Sequence, residues 1–239
     1  MIGWIGRLTF VLSLSGLTHA GGIGPDPATL APCGQFTTLG RVLGPGACSN
    51  GPFSLFNFGF TSPGGTSTDS SEISFQSGIT RGGLVAEFGG TFVDSRPASS
   101  PLPFAEYRID FVIDPPPPVI LGFEMDLDGF DVTAFRFGAQ QTGVSVLTDL
   151  CVGALFNSDG VCNEGTPYSL FVDPFSPFSS IVFDGPTNFV SVISRIRVTE
   201  TIDIEGLGLN ALLSDIPEPS TAVLAAAGLG FLALWRRRR

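Results

Sequence analysis

The chain is predicted to fold as an all-β domain of the β-sandwich or jelly-roll kind, set between an N-terminal signal peptide and a C-terminal single transmembrane helix. Three observations carry this reading. Apolar and polar residues alternate in about ten short runs. Clusters of Gly, Pro, Ser and Asp separate those runs at the spacing of sandwich strands. Helical periodicity is hard to find between the two hydrophobic ends.

The strands follow in order. Leu55, Asn57 and Gly59 oppose Phe56, Phe58 and Phe60, so alternation places these three phenylalanines on one strand face. Within 71–77, Ile73 and Phe75 share a face, and the run 84–93 is interrupted by Gly89-Gly90. Tyr107, Ile109, Phe111 and Ile113 alternate with Arg108, Asp110 and Val112. The next strand, 119–127, sets Leu121, Phe123, Met125 and Leu127 against Glu124, Asp126 and Asp128. Runs at 132–137, 144–150, 168–172 and 180–183 precede a long one at 188–204. Residues 115–118 are four prolines, which cannot enter a sheet interior and make a stiff extended connector. The stretches 62–71 and 95–103 read as exposed loops. The domain is expected to span 21–205, with 206–216 as a spacer.

The two ends are addresses. Residues 1–7 carry one positive charge, Arg7, and 8–17 are apolar; Thr18-His19-Ala20 then places small residues at −3 and −1 before Gly21. That pattern marks 1–20 as a cleavable secretory signal. At the other end Pro217-Glu218-Pro219 precedes an apolar run, with a helix expected over 221–235, and then Arg236, Arg237, Arg238 and Arg239. The prolines keep Glu218 extended and outside the helix. The arginines hold the far side in the cytoplasm. Fifteen helical residues span only about 22 Å against a hydrocarbon core of about 30 Å. So short an anchor suits a segment that is later removed.

This three-part tail (217–239) resembles the PEP-CTERM sorting signal. The resemblance implies export by a Gram-negative bacterium and processing by exosortase, a membrane transpeptidase-like enzyme tied to exopolysaccharide production. The expected path is the periplasmic face of the inner membrane, then the cell envelope or the exterior. More faintly, Gly46-Ala47-Cys48 leading into Phe53-Ser54-Leu55-Phe56-Asn57-Phe58 resembles the start of many exported proteins with this tail, which implies a β-rich fold and no chemistry.

Between the two ends all basic residues are arginine, and acids outnumber them about three to one. Nucleic acid is therefore not an expected partner, because it requires a basic footprint; solubility or divalent cations fit better. Phe is used 22 times but Tyr and Trp only twice each, which favours plain core over a sugar-stacking platform. The four cysteines fall into two local pairs, Cys33 with Cys48 and Cys151 with Cys162. In an exported chain these read as disulfides. On the chain-entropy account each stabilises by about 3 kcal/mol.

His19, the only histidine, leaves with the signal, and no lysine exists, so His- or Lys-dependent nucleophilic sites and His-liganded zinc are excluded from the mature chain. Catalytic residues are therefore expected to be none. The remaining enzymatic option is a glycosidase-type carboxylate pair, such as Glu106 with Asp110 or Glu124 with Asp126. Glu124, Asp126, Asp128, Gly129 and Asp131 resemble the opening of a calcium loop, although Phe135 stands where an EF-hand needs its closing Glu. A polar strand face ending in an Asp-Gly turn explains the same letters. The expectation is an exported, non-enzymatic envelope or exopolysaccharide-matrix protein without a required cofactor. The alternatives are a calcium-dependent carbohydrate-binding module and a secreted glycosidase.

Overall fold

The structure is a computed structural model that describes residues 23–63, 68–80, 83–94, 104–114, 120–134 and 143–214, with backbone only for 129–134. The signal peptide, the proline connector 115–118, the loop 95–103, the strand end 135–137 and the sorting segment lie outside the described residues.

Two single-turn 3₁₀ helices (Pro27–Thr29 and Cys33–Gln35) and a short α1 (Leu39–Leu43) precede eleven strands. These are β1 (Ala47–Asn50), β2 (Phe53–Thr61), β3 (Ser74–Ile79), β4 (Gly83–Phe92), β5 (Ala105–Asp114) and β6 (Ile120–Ala134). β7 (Val144–Val152), β8 (Thr166–Val172), β9 (Phe178–Thr187), β10 (Val190–Val198) and β11 (Thr201–Leu213) complete the set. They form a six-stranded sheet, β1-β2-β5-β10-β7-β8, and a five-stranded sheet, β3-β4-β11-β6-β9. Four antiparallel pairs are nested: β4 with β11, β5 with β10, β6 with β9 and β7 with β8. A long hairpin folded across two sheets in this way is a jelly roll. β1 and β2 extend one sheet and β3 the other.

The core lies between the sheets, and alternation explains most of it. Tyr107, Ile109, Phe111 and Ile113 point inward from β5, and Phe123, Met125 and Leu127 from β6. Phe58 and Phe111 of one sheet meet Phe75 and Phe88 of the other, with ring centroids 5.5–5.9 Å apart. Such offset and edge contacts add roughly 0.5–1.5 kcal/mol per pair to the area buried. The buried Tyr107 hydroxyl donates to the Val93 carbonyl (2.6 Å) and accepts from the Val93 amide (3.1 Å), so its polar end is satisfied. Thr148 is buried too, with its hydroxyl 2.8 Å from that of Ser194.

Four sequence expectations need correction, and three share one cause: a single extra residue reverses every side chain beyond it. Asn57 adopts φ 56°, and the β2–β5 register slips between Phe56 and Gly59. Leu55 and Phe58 therefore both face the core, while Phe56 packs against Gly24 on the opposite side. The three phenylalanines do not share a face. A second slip, between Ile120 and Gly122, turns Ile120 inward and leaves Leu121 exposed. The third concerns the spacer: residues 206–213 are the second half of β11, paired to β4 and β6 on its two sides. A bulge between Ile204 and Leu207 moves the inward set from Ile202 and Ile204 to Leu207, Leu209 and Ala211. Gly206 and Gly208 look like linker composition, yet they are glycines because Glu87 and Asp126 lean over them; a Cβ at 206 would lie 2.7 Å from the Glu87 carboxylate.

The fourth correction is of extent. The run 188–204 divides into β10 and the start of β11, which belong to different sheets. Conversely, β6 passes straight through Asp128-Gly129 to Ala134 rather than turning there. β4 likewise continues through Gly89-Gly90.

A strand and a spacer respond differently to mutation. Leu209→Ala, at a fully buried β11 position, is expected to cost about 2–5 kcal/mol. Urea denaturation of the variant measures it; an unchanged midpoint would return 206–213 to a linker role.

Candidate functional site

Both expected disulfides form, Cys33–Cys48 and Cys151–Cys162, with Cα atoms 4.9 and 5.4 Å apart. The first ties the helical segment before α1 to β1. The second closes the β7–β8 connection, which folds back over the outer face of the six-stranded sheet. Ser191 on β10 donates to the Ala154 carbonyl beneath it (3.1 Å). Under this loop lies a cavity of about 250 Å³ lined by Asn57, Arg108, Asp110, Phe156, Asn157 and Ile193, among others. Arg108 pairs with Asp110 at 3.2 Å. Burial pushes the Asp110 carboxyl above its ordinary value, and the Arg108 charge opposes that rise only in part.

Two further carboxylates on this face are paired with arginines. Glu106 accepts from Arg197 at 2.7 Å, and Asp149 pairs with Arg195. Glu106 and Asp110 are four residues apart on one strand, about 13 Å. A glycosidase pair needs about 5–9.5 Å, so the structure does not bring these two together as a catalytic couple.

Glu124, Asp126 and Asp128 project from the outer face of β6 instead of converging at a loop. Alternate strand residues stand about 6.8 Å apart, whereas calcium draws its oxygens to about 2.3–2.6 Å. Among the described residues no group of three acids is placed to hold a metal; the Asp131 side chain lies outside them. Glu124 accepts from Asn210 of β11 (3.2 Å). Burial raises the Asp126 pKa, and repulsion from Asp128 and Glu124 adds to the rise. The Glu124–Asp126 spacing alone would suit two carboxylates acting together, but both stand on an open sheet face.

Sequence reasoning missed a second concavity, of about 400 Å³, at the opposite end of the sandwich from Leu213. It is lined by Phe104, Phe171, Asp173, Phe175, Arg197 and Thr199, among others. Phe175 is 78% exposed on a tight turn whose amides are capped by Asp173. Arg197 lies over the Phe104 ring, 4.6 Å from its centroid. The Asp-Pro-Phe-Ser sequence of that turn was the available signal, hidden by treating every Phe as core.

β11 ends at Leu213, so the chain passes from the centre of a sheet into the tail with only Ser214 between. Residues 215–239 match the family described as the PEP-CTERM protein-sorting motif. The chain carries a PEP-CTERM sorting motif. No match was found among curated proteins. The motif marks this as an exported, cell-surface protein, and two disulfides fit an oxidising compartment. It further implies processing by an exosortase.

The raised Asp126 pKa gives a signed prediction. Above that pKa the folded state holds an ionised carboxylate that is partly desolvated and repelled by Asp128 and Glu124, and stability falls as pH rises from the ordinary value of 3.8 through the folded value. Asp126→Asn is therefore expected to raise the urea midpoint at pH 7, with the gain vanishing below pH 3.8. A variant no more stable than the parent at pH 7 would contradict this.

Proposed function

We propose that this is a non-enzymatic structural protein of the cell envelope or exopolysaccharide matrix, held at the membrane by its tail and released when an exosortase reads Pro217-Glu218-Pro219. The observation that carries the reading is the sorting motif joined directly to a disulfide-closed jelly roll. A mature chain with neither histidine nor lysine supports a non-catalytic role. Three acids of the six-stranded face, Glu106, Asp110 and Asp149, support it as well, because they are spent on arginine pairs.

Glu218→Ala separates anchoring from processing. The apolar run should still insert the variant, but the tail should no longer be removed. In an exosortase-positive host, immunoblots of membrane and released fractions should show a shortened wild type and a full-length, membrane-bound variant. If wild type also keeps its tail, the segment is a plain anchor.

A second reading, carbohydrate binding, is favoured by the exposed Phe171 and Phe175 beside Arg197 and Asp173. Aromatic faces stack on sugar C–H groups while the charged groups bond to hydroxyls. Binding of the host's purified exopolysaccharide, measured with and without EDTA, should be calcium-independent and weakened about tenfold or more by Phe175→Ala, the scale of a lost hot spot. Equal binding by the variant would leave only the structural role.

A further inference from the structure

We infer that the end of the five-stranded sheet from which the tail departs is a lipid-facing surface, resting on the phospholipid leaflet into which residues 221–235 insert. This builds on the membrane-held stage of the proposed function. The reach of the chain sets the distance. Seven residues, 214–220, separate Leu213 from the apolar run. Fully extended they cover at most about 25 Å. β11 itself runs 13 residues, about 43 Å. One end of the sandwich is therefore always near the bilayer, and its surface chemistry decides how the domain stands.

The strand registers show what that end presents. Leu212, Gly122 and Val182 form one row across β11, β6 and β9. Val182 is 73% exposed, and the bulge beside it turns Leu121 outward, 38% exposed. Ile79, at the matching end of β3, is 49% exposed but stands in the inward row of Leu84 and Ala211, so the outward patch is Leu121 with Val182. Toward the distal end the same face changes character. The next outward row holds Glu124 beside Asn210, and the one after it sets Asp126 and Glu87 on either side of Gly208, with Phe178, 57% exposed, at its β9 end. Asp128 follows, beside Gly206. From Leu212 to Gly206 is about 20 Å. Within that length the β6–β11 part of the face passes from aliphatic to carboxylate, while the β9 edge stays apolar.

A bilayer rewards this order. Aliphatic side chains gain by leaving water, while carboxylates lose hydration and are repelled by anionic headgroups. The domain stands with Leu121 and Val182 against lipid and its acidic rows lifted away. The cavity beside Phe175 then faces outward.

The test uses the full chain, reconstituted through its tail into phosphatidylcholine vesicles doped with a phospholipid bearing a diazirine near the glycerol. After irradiation, adducts are mapped by peptide mass spectrometry. Adducts should concentrate on the peptides carrying Leu121 and Val182 and be several-fold rarer around Phe175. The double variant Leu121→Ser, Val182→Ser should float with the vesicles and melt as the parent does, yet lose several-fold of that labelling. Labelling spread evenly, labelling centred on Phe175, or a double variant labelled as strongly as the parent overturns the inference. So does an unlabelled patch in chains that cross-link to one another, which would make it a contact between copies. A chain that fails to float at all refutes the insertion reading beneath it, and flotation without labelling refutes this inference alone.

Discussion

Everything in this molecule depends on β11 having partners on both sides. A central strand satisfies its backbone donors and acceptors only when two neighbours are in place. Its neighbours, β4 and β6, lie far back in the sequence. Such long-range pairing is slow to form, because loop closure comes before its reward. The jelly roll cannot close until its last strand, the one next to the sorting motif, is in place. In the membrane-held state proposed above, the tail would keep the open sheets near one surface instead of letting them diffuse into contact with other copies.

Arginine is the only cation in the exported part, and three of its arginines stand on one sheet face, each paired with an acid. Arg197 meets Glu106 directly across β10 and β5. Pairs this exposed contribute little to stability, about 0–1 kcal/mol each. Their consequence is chemical: they neutralise the face over which the Cys151–Cys162 loop packs. On the outer face of the five-stranded sheet Glu124 accepts from the Asn210 amide and Asp203 from the Thr91 hydroxyl. Among the described residues the acids of the two outer faces therefore differ in their partners, arginines on one and neutral groups on the other.

The sandwich, the inward face of β5, most of that of β6 and both disulfides were legible in the sequence, because alternation and local cysteine spacing survive without tertiary information. What was not legible turned on single residues. Asn57 supplies a left-handed backbone without being a glycine, so the reversal of phase between Leu55 and Phe58 has no compositional mark. Gly206 and Gly208 misled in the opposite direction. Glycine at alternate positions reads as a linker, whereas here neighbouring side chains occupy the space above a buried strand. The Asp-Gly at 128–129 has the letters of a turn, and pairing with β11 overrides them. The sorting motif was readable because its three parts stand in a fixed order and need no fold.

The short link between Leu213 and the apolar run sets two demands against each other. A processing enzyme must reach Glu218, which lies five residues beyond the last strand residue, at most about 18 Å away. A longer link would ease that access but let the domain tumble, bringing acidic rows or the Phe175 turn down onto the membrane at random. A shorter one would bury the motif under the rim formed by Leu121 and Val182. Pro217 and Pro219 reconcile the two, since a proline-fixed extended segment gives up little further entropy when an enzyme grips it. It also spends its few residues on length rather than on coiling. On the lipid-facing orientation proposed above, a rigid motif and an aliphatic rim would serve one geometry, a domain held upright while an enzyme reaches its cleavage segment.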